Sequence, residues 1–153
     1  MEDLSFTHFI WVALCAGIIG TVGMELMLKS ITKLGIANAD MTRAIGSLFT
    51  NSSTVAYRFG FVIQSFSGIV FAFIYILAFE LFDVKGIISS AGAGLLLGFV
   101  HGAIVGFILV TAVAENHPRP EFRKAEFPVA VAHWAGHLIY GLLVGILINL
   151  IGT

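Results

Sequence analysis

Five polar side chains stand inside otherwise apolar stretches of this sequence, and their chemistry is unusual for such positions: Glu25, Gln64, His101, His133 and His137. Placing an ionisable group in hydrocarbon costs a few kcal/mol, about 2.5 to 3.5 on insertion scales, so such residues are rare and face partners or water. These five residues are therefore the candidates for a functional site.

His133 and His137 are four positions apart, which places both imidazoles on one face of a helix. This is a spacing with which a helix can offer two ligands to one metal ion. Together with His101 and Glu25, they could form a three- or four-ligand site for zinc, iron or copper. Metal binding is therefore the first hypothesis for this cluster.

Two alternatives for the histidines stay open. The rings can be neutral and hydrogen-bonded to backbone carbonyls, or to Tyr140 and Gln64 across a helix bundle. Haem is the lower-ranked cofactor hypothesis, with His101 and His137 as axial ligands from two helices.

Glu25, and His117 together with Glu115, allow both a functional and an ordinary interpretation. Glu25 could be a proton-relay carboxylate, but the favoured interpretation is that it pairs with Lys29, one turn later, or reaches headgroup water. His117 and Glu115 belong to a proline-containing connection, where we expect a solvent-exposed loop cluster; guarding the entrance to a site is their functional alternative.

The distribution of charge predicts the elements that carry these residues. Only 11% of the 153 residues are charged and 58% are hydrophobic, whereas a soluble domain has about 25% charged residues. The mean hydropathy is +0.99. The charges bracket four uncharged stretches of 21, 21, 29 and 27 residues, and a membrane-crossing helix needs about 20 apolar residues. We predict an all-α, polytopic membrane four-helix bundle that forms one domain over residues 1–153, with spans at about 6–28, 59–81, 87–113 and 128–150.

The same composition excludes other classes of protein. The chain has no basic surface for nucleic acid, and its single cysteine, Cys15, excludes a disulfide framework or a cysteine-based metal site. No phosphate-binding loop, dinucleotide fingerprint or nucleophile elbow occurs, so catalysis is not predicted. The acidic Glu2 and Asp3, followed by a long apolar run, predict a retained first span rather than a cleaved signal peptide.

Basic residues are concentrated in the first and third connections and their flanks, which hold seven of the eight: Lys29, Lys33, Arg43, Arg58, Arg119, Arg123 and Lys124. The positive-inside rule places these two connections in the cytoplasm and both termini outside. In the first connection, Asn38 or Asp40 could cap a short amphipathic helix at the interface.

The apolar stretches also show a weak internal similarity. Spans two and four align at an offset of 73 residues, which pairs Gln64, Gly68 and Ala72 with His137, Gly141 and Gly145. Two parallel two-helix repeats are one interpretation of this alignment. Because glycines share helix faces with the polar residues, we expect those faces to pack inside the bundle.

Short motifs near both ends of the chain resemble a group of small, uncharacterised four-helix prokaryotic integral membrane proteins. The segment Gly20–Met24 resembles their Gly-Thr-x-x-Met opening, and His137–Gly145 resembles their His-x-x-Tyr-Gly-x-x-x-Gly motif. The resemblance implies a four-span fold and supplies no known activity. This chain has Gln64 where such proteins often carry a histidine in span two.

Three functional hypotheses follow from the sequence. The first is a small membrane protein that binds a metal ion, with haem ranked lower, through His101, His133 and His137. The second is a structural or accessory subunit of a larger membrane complex. The third is a small transporter or channel formed by a homo-oligomer, since four helices with short loops enclose little pore. All three hypotheses place the chain in a lipid bilayer.

Overall fold

A computed structural model of the chain describes residues 6–108, 114–123 and 127–152. Every regular element in these ranges is a helix: α1 (Phe6–Lys33), α2 (Met41–Ser47), α3 (Ser53–Leu81), α4 (Ile87–Ile108), α5 (Ala114–Asn116), α6 (Pro120–Arg123) and α7 (Phe127–Ile151). The four long helices, α1, α3, α4 and α7, are long and apolar enough to cross a membrane. The predicted all-α membrane four-helix bundle is therefore confirmed.

Two of the long helices extend beyond the predicted spans. α1 continues to Lys33, and α3 begins at Ser53 rather than near residue 59. The charges of Lys29 and Arg58 limit the apolar stretch but not the helix, because long basic side chains can keep their charge in water while the backbone stays helical. Residues 109–113, at the end of the predicted third span, lie outside the described residues.

The four long helices pack in the spatial order α3, α1, α7, α4. α1 contacts both α3 and α7 extensively, and α7 contacts α4 extensively, whereas α3 and α4 make few contacts within the described residues. α1 and α7 therefore form a continuous wall, with α3 and α4 at its two edges. This order departs from two-fold packing of two parallel repeats, which would make the α1–α7 and α3–α4 contacts equivalent, and the sequence repeat itself stays a prediction.

Glycines produce the close helix contacts, as the sequence predicts. A Cβ atom on Gly94 of α4 would collide with the backbone carbonyl of Gly141 on α7, and a Cβ on Gly141 would collide with that of Gly94. A Cβ on Gly17 of α1 would lie 2.6 Å from the Ile69 Cα of α3. Membrane helices lack a hydrophobic drive to associate, so this backbone approach and its van der Waals contacts hold the bundle together.

The short helix α2 begins as the sequence predicts. Asp40 is its N-cap, and the Asp40 carboxylate accepts a hydrogen bond of 3.1 Å from the Arg43 backbone N–H. The helix then packs tightly on the first turns of α3, where a Cβ on Gly46 or on Gly60 would collide with the backbone of the other helix. α2 is therefore fixed against α3 through backbone contact.

The prediction of a solvent-exposed cluster at His117 is wrong, because the His117 side chain is 0% exposed. Its Nδ1 accepts a hydrogen bond of 3.0 Å from the Arg119 backbone N–H, so its Nε2–H donates to the Ala44 carbonyl, also at 3.0 Å. α2 ends after Ser47, and the Leu48 N–H donates to the Ile45 carbonyl, so the Ala44 carbonyl accepts from side chains instead: from His117 and, at 2.9 Å, from the Ser47 hydroxyl. His117 thus fastens the third connection to α2.

These contacts define two ends of the bundle. The basic end carries α2, α5 and α6, which His117 joins. At the opposite end a ring nitrogen of His8 lies 3.0 Å from the Ile151 carbonyl, and Asp83 occupies the turn between α3 and α4.

Candidate functional site

A partly open cavity of about 460 Å³ lies in the gap between α3 and α4, against the wall formed by α1 and α7. Apolar side chains from α2, such as Met41 and Ile45, line its side toward the basic end. The lining as a whole is mostly apolar. Seven of the lining residues are polar: Thr21, Gln64, Ser67, His101, His133, His137 and Tyr140. The structure therefore brings the three predicted histidines together with Gln64 and Tyr140 around one space.

The two α7 histidines are oriented by their own helix. His133 Nδ1 lies 2.7 Å from the Val129 carbonyl oxygen, and His137 Nδ1 lies 2.8 Å from the His133 carbonyl oxygen. Because a carbonyl can only accept, each Nδ1 carries the proton and donates it. These are the bonds to backbone carbonyls that one of the sequence alternatives describes.

The Nε2 atom of His133 is the most unusual polar atom of the cavity. His133 is 2% exposed, and its buried Nε2 has no hydrogen-bond partner among the residues that the structure describes. A second proton on this ring would place a cation in buried, largely apolar surroundings, so the neutral form is favoured and Nε2 carries a lone pair. His133 lines the cavity, so a buried and unsatisfied hydrogen-bond acceptor, which is rare in folded proteins, belongs to a side chain beside this space.

His101 reaches the same space from α4. Its ring stacks on Phe71 with centroids 3.7 Å apart and meets the His137 ring edge to face at 4.6 Å. His101 Nδ1 also lies 3.4 Å from the Tyr75 hydroxyl oxygen. With Tyr140 at a centroid distance of 6.0 Å, the ring is held among four aromatic neighbours.

Tyr140 has a structural connection across the cavity. Its hydroxyl donates a hydrogen bond of 2.5 Å to the Gly68 carbonyl, which ties α7 to α3. Gly68 approaches α1 so closely that a Cβ there would collide with the Thr21 hydroxyl. Tyr140 thus fixes the position of α3 beside the cavity. Its single hydroxyl proton is bound to the Gly68 carbonyl and is not available to a ligand.

Glu25 does not line the cavity, although the sequence groups it with the histidines. Glu25 Oε1 lies 3.4 Å from Lys29 Nζ, which confirms the favoured pairing of these two residues. Glu25 Oε2 lies 2.5 Å from the Thr42 hydroxyl oxygen, and that oxygen is also 2.5 Å from Gln64 Oε1. Glu25 is thus connected to the cavity through Thr42 and Gln64.

The predicted metal ligands are close to one another only in part. Among the residues that the structure describes, no three His, Cys, Asp or Glu side chains are grouped so that they could hold a metal ion. The contacting rings of His101 and His137 also leave no space between them for a haem plane. The side chains present therefore do not fit a haem with these two axial ligands.

Three polar residues of this region are missed by the sequence analysis: Thr21, Thr42 and Ser67. Threonine and serine are common in membrane helices, where they bond to their own backbone, as Thr21 does to the Gly17 carbonyl at 2.8 Å. Thr42 could be found only by knowing that α2 folds back against α3.

Compared with family models, with curated protein sequences and with solved structures, the chain gives no match.

Proposed function

We propose that this membrane protein binds a small, neutral, lipophilic molecule that carries a hydrogen-bond donor, inside the cavity between α3 and α4. The observation that carries the proposal is the buried Nε2 of His133, a residue that lines the cavity: within the described part of the chain, this atom has no hydrogen-bond partner. An acceptor left unsatisfied in a buried site costs free energy, about 1 to 3 kcal/mol, which a hydroxyl or N–H of a ligand would recover.

The shape and lining of the cavity support this class of ligand. Its volume of about 460 Å³ lies within the range of about 300 to 1,000 Å³ typical of small-molecule sites. A mostly apolar lining with a few convergent polar groups is also typical of such sites. A charged ligand would lose its hydration in this environment, so a neutral molecule is favoured.

A matched pair of probes tests the proposal: 4-hexylresorcinol, which has phenolic donors and an alkyl chain, and its dimethyl ether, which has no donor. Binding would be measured by native mass spectrometry of the protein released from detergent, for the wild type, His133→Phe and His8→Phe. His8 lies at the opposite end of the bundle, so its variant is the matched control. We expect the wild type and His8→Phe to retain the phenol in preference to the ether, and His133→Phe to lose that preference.

Equal retention of the two probes by the wild type would contradict the proposal. An unchanged preference in His133→Phe would also contradict it, because the Nε2 acceptor would then have no part in binding. Any molecule that copurifies with the wild type and not with His133→Phe identifies the natural ligand class.

Metal binding is the second candidate function, and one observation favours it. His133 and His137 both donate their Nδ1–H to a backbone carbonyl, which is the arrangement that orients metal-ligating histidines and directs Nε2 to the ion. Elemental analysis and a visible absorption spectrum of the wild type and of the His133→Ala/His137→Ala variant test it. Near-stoichiometric metal that the variant loses would support this candidate, and metal-free wild-type protein would exclude it.

We further propose that the basic end of the bundle faces the cytoplasm of a prokaryotic cell and that both termini lie outside. The contact between His117 and Ala44 puts the first and third connections at one end, and these connections with their flanks hold seven of the eight basic residues. The resemblance to small prokaryotic membrane proteins, the accessory-subunit hypothesis and the oligomeric transporter hypothesis stay predictions from the sequence.

A further inference from the structure

We infer that a relay from Glu25 through Thr42 sets the direction of the Gln64 amide, so that the cavity presents a second hydrogen-bond acceptor and selects neutral ligands with two donors. This inference rests on the proposed function, and it names the ligand class more narrowly. It assigns a role to Thr42 and Gln64 that binding at His133 does not require.

The inference begins with a count of protons at Thr42. The Thr42 hydroxyl oxygen lies 2.5 Å from Glu25 Oε2 and 2.5 Å from the nearest atom of the Gln64 amide, placed as Oε1. A hydroxyl has one proton, so it can donate to only one of these two neighbours. The other neighbour must donate to Thr42, or two lone pairs would face each other at a short distance.

The charge on Glu25 decides which neighbour donates. Glu25 Oε1 and the Lys29 ammonium form an ion pair at 3.4 Å, in which Glu25 is a carboxylate. A carboxylate can only accept, so Thr42 donates to Glu25, and the amide NH₂ of Gln64 donates to Thr42. The amide of Gln64 is therefore turned with its nitrogen toward Thr42. The position of the side chain permits this, because the amide nitrogen and oxygen occupy nearly identical positions in either orientation.

Other charged groups near the relay have partners of their own. On α2, Arg43 pairs with Asp40 at 3.3 Å. On α3, the Tyr57 hydroxyl lies 2.5 Å from Lys29 Nζ, so it acts on the ammonium rather than on Glu25. These contacts leave the order Lys29, Glu25, Thr42, Gln64 as the path of the relay.

The direction of the Gln64 amide decides which hydrogen-bonding atom this side chain offers to a ligand in the cavity. Gln64 lines the cavity, and with one N–H of its amide bound to Thr42, the amide oxygen is the acceptor that this side chain offers to a ligand. Together with His133 Nε2, this gives two neutral acceptors on different helices, α3 and α7. A neutral molecule with two donors, such as a dihydroxy aromatic compound, satisfies both acceptors, and a single-donor molecule satisfies one.

The relay predicts that Glu25→Gln reverses the direction of the Gln64 amide. The side-chain NH₂ introduced at position 25 would donate to Thr42, Thr42 would donate to the Gln64 oxygen, and the Gln64 NH₂ would then face the cavity. We expect 4-hexylresorcinol to bind about five- to tenfold more weakly to Glu25→Gln, the loss of about one hydrogen bond, and its dimethyl ether to bind more strongly. Thr42→Val should weaken binding of the phenol without strengthening binding of the ether.

Two control variants test whether the effect belongs to the relay. Thr42→Ser keeps the hydroxyl and should retain wild-type affinity, and so should Thr54→Val, which changes an exposed threonine at the start of α3. If the wild type prefers the phenol through His133 and yet Glu25→Gln and Thr42→Val behave like the wild type, the relay is wrong and the proposed function stands. If the wild type shows no preference for the phenol over the ether, the proposed function itself is wrong, and the inference that rests on it falls with it.

Discussion

The imidazole rings of His101 on α4 and His137 on α7 meet edge to face, with centroids 4.6 Å apart and planes inclined by 81°. The contact depends on glycines, since a Cβ on Gly98 would lie 2.5 Å from the His137 carbonyl oxygen and a Cβ on Gly102 would lie 2.6 Å from the His137 Cβ. α4 therefore approaches α7 closely enough for the rings to touch. α3 makes no such close approach to α4 in the described part of the chain, and the cavity occupies the gap between these two helices.

The close approach of α4 and α7 can be tested with two glycines of one helix. We predict that Gly94→Ala destabilises the protein by roughly 1 to 3 kcal/mol, because the added Cβ meets backbone atoms of α7 that cannot move aside separately. The control is Gly92→Ala, where a Cβ would have no atom within 4 Å. Thermal unfolding in detergent should show a lower apparent Tm for Gly94→Ala, by about 2 to 10 °C, and no decrease for Gly92→Ala.

An equal effect of the two substitutions would contradict the assigned α4–α7 interface. It would mean that both positions face lipid, or that the helix is rotated about its axis. The comparison is informative because the two substitutions add the same atoms to the same helix.

The connection between α2 and the third connection is tested at His117. We predict that His117→Ala lowers stability by roughly 1 to 3 kcal/mol, because the Arg119 N–H loses its acceptor and the Ala44 carbonyl keeps only the Ser47 hydroxyl as a side-chain donor. Hydrogen exchange should become faster at the Arg119 amide and at the amides of α2. The control is Glu115→Ala, an exposed change in the same connection that should leave both readouts unchanged. Unchanged exchange in His117→Ala would show that the ring does not fasten the two connections.

The long helices and their inward faces follow from the sequence, because hydropathy over about 20 residues and the placement of glycines act through local geometry. The burial of His117 does not follow, since it depends on where α2 ends relative to a connection about 70 positions away in the sequence. The role of Glu25 was predictable in part. Its pairing with Lys29 is an i,i+4 contact on one helix, whereas its contact with Thr42 requires three elements to meet.

The N-cap of α2 gives a prediction about the basic end. Asp40→Ala removes the carboxylate that accepts from the Arg43 N–H, and we expect a loss of about 1 kcal/mol. The matched control is Asn38→Ala, which changes the other candidate cap without affecting that bond. A stability loss for Asn38→Ala and none for Asp40→Ala would show that the helix begins elsewhere.

The turn between α3 and α4 gives a prediction about pH. The hydrogen bond and charge of Lys85, whose Nζ lies 2.5 Å from Asp83 Oδ1, hold the pKa of the Asp83 carboxyl below its ordinary value of 3.8. A lowered pKa in the folded state means that this pair stabilises the turn above pH 3.8, and that the contribution disappears as pH falls through the lowered pKa. An NMR titration of the Asp83 carboxyl should give a midpoint below 3.8 in the wild type and a higher one in Lys85→Met. Identical midpoints would show that the two side chains do not pair in solution.

The orientation in the membrane can be tested by labelling single cysteines in intact cells. Cys15→Ala removes the native thiol, after which Ser52→Cys places a thiol at the basic end and Lys85→Cys places one in the turn between α3 and α4. We expect a membrane-impermeant maleimide to label Lys85→Cys in intact cells, and to label Ser52→Cys only after the cells are opened. Loss of the Lys85 charge strengthens the positive-inside bias rather than weakening it, so the substitution does not itself favour the opposite result. Labelling of Ser52→Cys in intact cells would show that the orientation is the opposite one. The end of the bundle that carries Glu25 and its relay would then face the outside of the cell.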